Sequence, residues 1–264
     1  ADGTLDTSFI ATVTGDGACV TIQPVGKLLL GGTRFQFPDG SLKRGLIRLN
    51  AEGSVDPSFQ VKDWDDGGEF LIMRMLLQPD GRILIAGNFT EMRGAARGHL
   101  ARLNADGSID ESFRFEPETP LDSTENTSPI HAVALQADGK VVVSAYFVGN
   151  TDKLLRLHPD GTEDESFTPG FSGTASEIVV QPDLKILMGG LFDFGGDDDQ
   201  WITLARLNPD GSVDGSFAPA ITPQVNTFAL QPDGKILVVD SGGSPALMRL
   251  NPDGALDTTF APDL

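Results

Sequence analysis

Two groups of carboxylates stand outside any regular spacing: Asp63, Asp65, Asp66 and Glu69 in one segment, and Asp193, Asp197, Asp198 and Asp199 in another. Clustered hard oxygen donors are what calcium requires, so both groups are candidate metal sites and calcium is the one cofactor the residues suggest. The competing explanation is a solvated acidic surface. A third set of oxygens, Asn-x-Asp-Gly-Ser-x-Asp at 208–214, fails the EF-hand spacing, because its glycine comes fourth and position 219 is proline where a glutamate is needed. It reads as a hairpin turn, in which Asn, Asp and Gly accept positive φ.

Catalysis has less to work with. Cleaving a glycosidic bond takes two carboxylates flanking it. The strands that would line a central channel, at 18–22, 73–77, 131–135, 176–180 and 226–230, hold a single carboxylate, Glu177. Arg74, His131 and Glu177 meet at a channel mouth only if all three point inward, and His131 and Glu177 fall on opposite strand parities. No nucleophile–base pair, phosphate-binding glycine loop or zinc-ligand spacing occurs elsewhere, so the chain reads as a non-enzyme. Aromatic side chains that can stack on a sugar or fill a partner's pocket are Trp64, Phe37, Tyr146, Phe171 and Trp201, and they do not recur at one position.

The elements that must hold these residues are declared by repetition. Asp/Glu-Gly-x-x-Asp-x-Ser/Thr-Phe occurs six times, ending at Phe9, Phe59, Phe113, Phe167, Phe217 and Phe260, at intervals of 50, 54, 54, 50 and 43 residues. That period matches a four-stranded propeller blade. A second block, Gln-Pro-Asp-Gly-Lys-Ile-Leu-Val, recurs in varied form at Gln23, Gln78, Gln136, Gln181 and Gln231. Each unit reads as strand a, tight turn, strand b, variable segment, strand c, turn, and the Asp-x-Ser-Phe strand d. The a–b and c–d turns are uniformly short; the b–c and d–a segments vary and include 60–69, 88–99, 114–130 and 191–203. Variation on a rigid scaffold marks the face where specificity resides.

Arg48, Arg102, Arg156, Arg206 and Arg249 recur on strand c, eight residues before Asp56, Asp110, Asp164, Asp214 and Asp257. Identical copies on successive blades do not converge on one ligand, so each Arg is expected to pair with its own Asp, and each Phe to anchor the packing between blades.

The chain has 264 residues and a formal net charge of −19, which repels nucleic-acid phosphates and anionic lipid headgroups. Its apolar runs are strand-sized, far short of the roughly 20 residues of a bilayer span, so membrane insertion is not expected. Cys19 is the single cysteine and reads as a buried, inert thiol.

The blocks Leu-Asn-Pro-Asp-Gly-Ser-Val-Asp-x-Ser-Phe (207–217) and Gln-Pro-Asp-Gly-Lys-Ile-Leu-Val (231–238) resemble the bacterial delta-60 repeat, a β-propeller family without an assigned activity. Kelch units match less well: Gly-Gly at 31–32 and 189–190 fits them, but the Tyr and Trp that follow in kelch are missing. The fold expected is an all-β propeller of five blades with four antiparallel strands each. It forms one domain over 1–264, with repeats near 10–59, 60–113, 114–167, 168–217 and 218–260 and an extra terminal strand at 1–9. The resemblance implies a bacterial, exported or surface-associated protein, and the start at Ala1-Asp2-Gly3, partway through a repeat, is what removal of a signal peptide is expected to leave. The function expected is a non-enzymatic module, monomeric or part of a larger chain, that binds a protein or polymer through its variable loops. A lectin-like propeller and a structural spacer within a larger surface protein are the alternatives.

Overall fold

The computed structural model describes residues 4, 7–59, 61, 71–92, 95–122, 128–149, 151–194, 202–219, 225–240 and 247–261. They form strands and turns, with no helix among them. The chain divides into two compact units, residues 1–130 and 131–264.

The first unit holds two three-stranded antiparallel sheets. One is built from β1 (Thr14–Ile22), β2 (Leu28–Gln36) and β3 (Leu42–Leu49). The other uses β4 (Ile72–Leu77), β5 (Ile83–Gly87) and, after a short hairpin of β6 (Glu91–Met92) and β7 (Ala95–Ala96), β8 (Leu100–Leu103). In the second unit β9 (Ile130–Leu135), β10 (Val141–Phe147) and β11 (Thr151–Leu157) form one sheet. β12 (Ser172–Val180), β13 (Ile186–Asp193) and β14 (Ile202–Leu207) form the next, and β15 (Val225–Leu230), β16 (Ile236–Asp240) and β17 (Leu247–Leu250) the last.

The middle strands are continuous apolar runs because both their faces are covered. Ile83, Leu84 and Ile85 are all fully buried, as are Val141, Val142 and Val143. Within each unit neighbouring sheets share a core: Leu29 and Leu46 of the first sheet pack with Ile72, Ile83 and Ile85 of the second, and Leu187 and Leu204 pack with Phe228, Ile236 and Val238. Strand a is bulged at Gly15–Cys19, Ile72–Arg74, Ala175–Glu177 and Val225–Thr227. The bulge explains the glycine pairs that look like kelch. It brings the Asp16 and Thr174 carbonyl oxygens to 2.1 and 2.0 Å from where a Cβ on Gly32 and Gly190 would stand, so only glycine fits.

The fourth strand differs from expectation. Each sheet gains only one bridge from the following segment: Leu49 with Val55, Leu103 with Ile109, Leu157 with Glu163, Leu207 with Val213, and Leu250 with Leu256. The next residue is the motif aspartate, whose side chain bends the chain away from an extended course. Asp56 Oδ1 accepts from the Ser58 backbone N–H at 2.9 Å and its hydroxyl at 2.7 Å, and the Phe59 N–H turns back to the Asp56 carbonyl. Ser112, Ser166, Ser216 and Thr259 repeat the bond to the aspartate two residues before them. Asp-x-Ser-Phe is therefore a turn that follows a three-stranded blade.

The other oxygen of that aspartate takes the cations. Asp214 Oδ2 lies 2.6 Å from Arg206 Nε and 2.9 Å from Lys185 Nζ. Asp56, Asp164 and Asp257 repeat the arrangement with Arg48 and Lys27, Arg156 and Lys140, and Arg249 and Lys235. In the second sheet Arg82 stands in for the lysine, 3.3 Å from Asp110. Each guanidinium lies over the ring of the motif phenylalanine, with Arg206 4.7 Å from the Phe217 centroid. Its far nitrogen reaches the next repeat: Arg48 Nη1 donates to the Ala105 carbonyl at 2.8 Å, Arg206 Nη1 to that of Pro252 at 2.6 Å, and Arg156 Nη1 to that of Pro209. The expected Arg–Asp pairing is thus present, extended by a lysine and by a bond across repeats.

The chain after each phenylalanine continues the same contact. Thr168 N–H donates to Asp210 and Ala218 N–H to Asp253. Ile10 and Thr12 dock in the same way on Glu52 and Gly53, and Phe9 packs beside Phe35, Ile47 and Leu49. The N-terminal copy of the motif leads into the first sheet just as later copies lead into theirs.

Arg206→Lys keeps the charge but gives up the planar fork and the Pro252 bond, and should cost about 1–3 kcal/mol in urea unfolding. Arg249, 21% exposed, makes no such bond to a neighbouring turn among the described residues, so Arg249→Lys should cost less than half as much. Equal losses would show that the inter-repeat bond is energetically silent.

Acid should act through the same carboxylates. At Asp164 and Asp257 the hydrogen bonds from Lys140 and Lys235, followed by those from Ser166 and Thr259, hold the pKa far below the usual aspartate range. At Asp56 and Asp214 burial is the largest influence and pushes upward, but the serine, lysine and arginine donors together outweigh it. A depressed folded pKa contributes stability that is complete above the ordinary value of 3.8 and lost as pH falls below it. Melting temperature should therefore be insensitive to these groups from pH 7 to 5 and fall below pH 4, with a shallower acid slope in Asp214→Asn.

Candidate functional site

The register places the two kinds of connection at opposite ends of each sheet. In the first, Ile22, Leu28 and Leu49 align at one end and Thr14, Gln36 and Leu42 at the other. The a–b turn and the motif turn share the first end, and their hydrogen bonds are repeated with little change. Gln23 N–H bonds to Lys27 and Gly26 N–H to Gln23, with the same pair at Gln78, Gln136, Gln181 and Gln231. Even Leu184, where the other repeats have glycine, adopts a positive φ of 66° to keep that turn. An end whose backbone is committed to one geometry five times over offers little that is specific.

Among the described residues the other end differs from sheet to sheet. In the second, the b–c segment carries the β6–β7 hairpin and a buried His99, at φ 64°, whose Nδ1 lies 3.2 Å from the Gly87 carbonyl oxygen. Burial lowers the His99 pKa, against a smaller opposing effect of that hydrogen bond. Arg97, 2% exposed, reaches across to Glu111.

In the second unit a polar group gathers from four strands of two sheets. His131 on β9 places Nε2 3.3 Å from Asp152 Oδ1 on β11. Thr174 on β12 donates its hydroxyl to Asp152 Oδ2 at 2.5 Å, and Tyr146 on β10 stands opposite Asp152 in register. Oδ1 is buried, and the histidine contact lies off the hydrogen-bond line. Carboxylate, imidazole, hydroxyl and phenol side by side are suited to recognising hydroxyl groups. Glu177 is committed elsewhere, accepting from the Thr227 hydroxyl at 2.7 Å and the Phe228 N–H at 3.0 Å. That ties β12 to β15 and takes Glu177 out of the arrangement that a pair with His131 would need.

In the first unit the variable end of the first sheet is hollowed into a cleft of about 360 Å³ lined by Thr14, Gly15, Asp16, Arg34, Gln36, Gly40 and Leu42. Phe37 borders this end, half-buried against Phe35, Ile47 and Leu49, with Lys43 Nζ 5.7 Å from its ring centre.

Of the residues singled out from sequence, Phe37 and Tyr146 stand at the variable end, each half-buried. Phe171 is there too, but packs edge-on against buried Phe192 at 5.3 Å and beside Phe194 at 5.3 Å, so much of its surface is spent inside the blade. Asp193 is exposed at the end of β13. Trp64, Trp201, Asp63, Asp65, Asp66, Glu69, Asp197, Asp198 and Asp199 lie outside the described residues. Among the described residues no group of three or more His, Cys, Asp or Glu stands close enough to hold a metal ion. Cys19 is half-buried; burial raises its pKa, more than the Gly31 hydrogen bond and the Arg74 charge lower it. Sequence reading missed Asp152, Thr174 and Arg34.

Repeated three-stranded blades joined by the Asp-x-Ser-Phe turn define a propeller-type repeat protein. The chain belongs to the family described as "Domain of unknown function (DUF5122) beta-propeller", which matches residues 23–59, 78–113, 136–167, 181–217 and 231–260. No match was found among the curated proteins. Among solved structures it is similar to the extracellular domain of the one-component system BT4673 from B. thetaiotaomicron, at 18% identity and a TM-score of 0.56 over 92% of this chain and 31% of that one. It is also similar to the extracellular domain described for a hybrid two-component system BT4673 from the same organism, at 16% identity and a TM-score of 0.55, over 98% and 29%. A catalytically inactive virginiamycin B lyase from Staphylococcus aureus with quinupristin follows at 12% identity and a TM-score of 0.51, over 90% and 67%. The chain thus spans about a third of the length of the BT4673 domains. These likenesses concern the fold.

His99 supplies a pH test. Its folded pKa is depressed, so its contribution is complete above the ordinary value of 6.5 and is lost as pH falls through that value. The urea midpoint should drop between pH 7.5 and 5, and Asn, which tolerates positive φ, should remove most of that drop in His99→Asn. An unchanged slope in the variant would assign the effect to another group.

Proposed function

We propose that this chain is a non-enzymatic extracellular or cell-surface module that binds a protein or polymer through the variable ends of its blades. The observation that carries this reading is the contrast between the two ends of every sheet. One repeats a single closed hydrogen-bond pattern; the other presents a different set of side chains in each repeat. The likeness to the BT4673 domains, which are described as extracellular, supports the location. A net charge of −19 argues against nucleic acid as the partner. Calcium in the two acidic segments remains part of the proposal.

A second reading, a carbohydrate-binding propeller, is favoured by the Asp152, His131, Thr174 and Tyr146 group, which combines hydroxyl-recognising side chains with an aromatic ring.

The test is a panel of immobilised polysaccharides and matrix proteins probed with three forms of the chain. Tyr146→Ala with Asp152→Asn changes the variable end; Asp183→Asn with Asp233→Asn changes the uniform end. Ligands of the wild type should be lost or weakened about tenfold in the first variant and retained in the second. Loss in the second alone would put the site at the wrong end. A panel with no ligand would favour the spacer role.

A further inference from the structure

We propose that the cleft at the variable end of the first sheet binds a carboxylate-bearing saccharide, an inference that rests on the binding role above and names a ligand class for one of its sites. Strand alternation sorts the side chains there. Phe35 is buried, and Lys43, its partner in register, shares its face, so Arg34 and Gln36 on β2 share the opposite face with Arg44 and Leu42, their partners on β3. Thr14, paired with Gln36, extends that face onto β1. Register shifts on both sides of β2, at Gly15–Cys19 and Gly31–Arg34, curl the sheet and hollow this face. A Cβ on Gly15 would stand 2.2 Å from the Arg34 carbonyl oxygen, so the hollow depends on glycine.

Arg34 is the cation among the residues that line this hollow, and Asp16 the anion. Arg34 is exposed and, among the described residues, forms no ion pair or side-chain hydrogen bond. A guanidinium fork of this kind matches a carboxylate with two parallel bonds. The rest of the lining selects a saccharide over an acidic peptide. Gln36, Thr14 and Asp16 can exchange hydrogen bonds with ring hydroxyls, and Leu42, 57% exposed, offers an apolar surface to the ring's C–H face. Asp16 can accept a hydrogen bond from a ring hydroxyl, which an acidic peptide side chain does not offer. The volume, about 360 Å³, lies within the range of small-ligand sites.

The experiment is calorimetric titration of the whole chain with trigalacturonate, neutral galactotriose and tetraglutamate. Trigalacturonate should bind at least about tenfold more tightly than galactotriose, as expected for a charge-assisted fork. Arg34→Gln should lose about tenfold, while Lys43→Gln, the same charge change on the opposite face, should lose less than about twofold. Gln36→Ala, from the face of Arg34, is the second variant should Arg34→Gln fail to fold. Three results would overturn the proposal: no binding of trigalacturonate, equal losses in Arg34→Gln and Lys43→Gln, or tighter binding of tetraglutamate. If it falls while the panel still yields ligands lost with Tyr146→Ala and Asp152→Asn, this site alone is wrong and the binding role stands.

Discussion

The architecture depends on a carboxylate that divides its work between two oxygens. Oδ1 of the motif aspartate bends the chain through the serine two residues on; Oδ2 gathers an arginine from strand c and a lysine or arginine from the a–b turn. Buried ion pairs often contribute little net stability, because desolvation offsets attraction. Here Arg206 is satisfied on every side: by the carboxylate, by the face of the motif phenylalanine, and by a carbonyl of the next repeat. The motif thus closes one blade and grips its successor with the same side chain.

Concentrating cohesion at one end frees the other. The turns that carry the ion pairs cannot change without disturbing several partners, and Leu184 shows that a left-handed residue is tolerated before the turn is abandoned. The b–c and inter-repeat segments lie beyond the strand-a bulges, where pairing is already irregular, so they accept insertions such as the β6–β7 hairpin. Repeat length therefore varies while blade geometry does not.

Most of the fold was legible because repetition multiplies a weak signal. The eight-residue spacing of Arg48 and Asp56, seen five times, was enough to infer their pairing. The lysine that joins them was equally visible, four residues after each recurring glutamine, as Lys27, Arg82, Lys140, Lys185 and Lys235, and went unused. The fourth strand was misjudged because an Asp-x-Ser pattern that bends the chain also fits a short alternating strand. The sites were far less legible. Asp152 meets Thr174 from the next sheet, and Arg34 gains its setting from two bulges; neither sheet-to-sheet alignment nor bulge position follows from a single non-periodic residue. Apart from Asp193, the acidic residues of both segments and both tryptophans, the loudest signals for function, lie outside the described residues.

The bond from arginine to the neighbouring turn also has a direction. Arg48 reaches forward to Ala105, Arg156 to Pro209 and Arg206 to Pro252. In each case the donor precedes the acceptor by 46 to 57 residues, so during synthesis the gripping side chain emerges before the turn it will hold. Each completed repeat is then a template for the one behind it, and assembly can run from the N-terminus toward the C-terminus without waiting for the last residue.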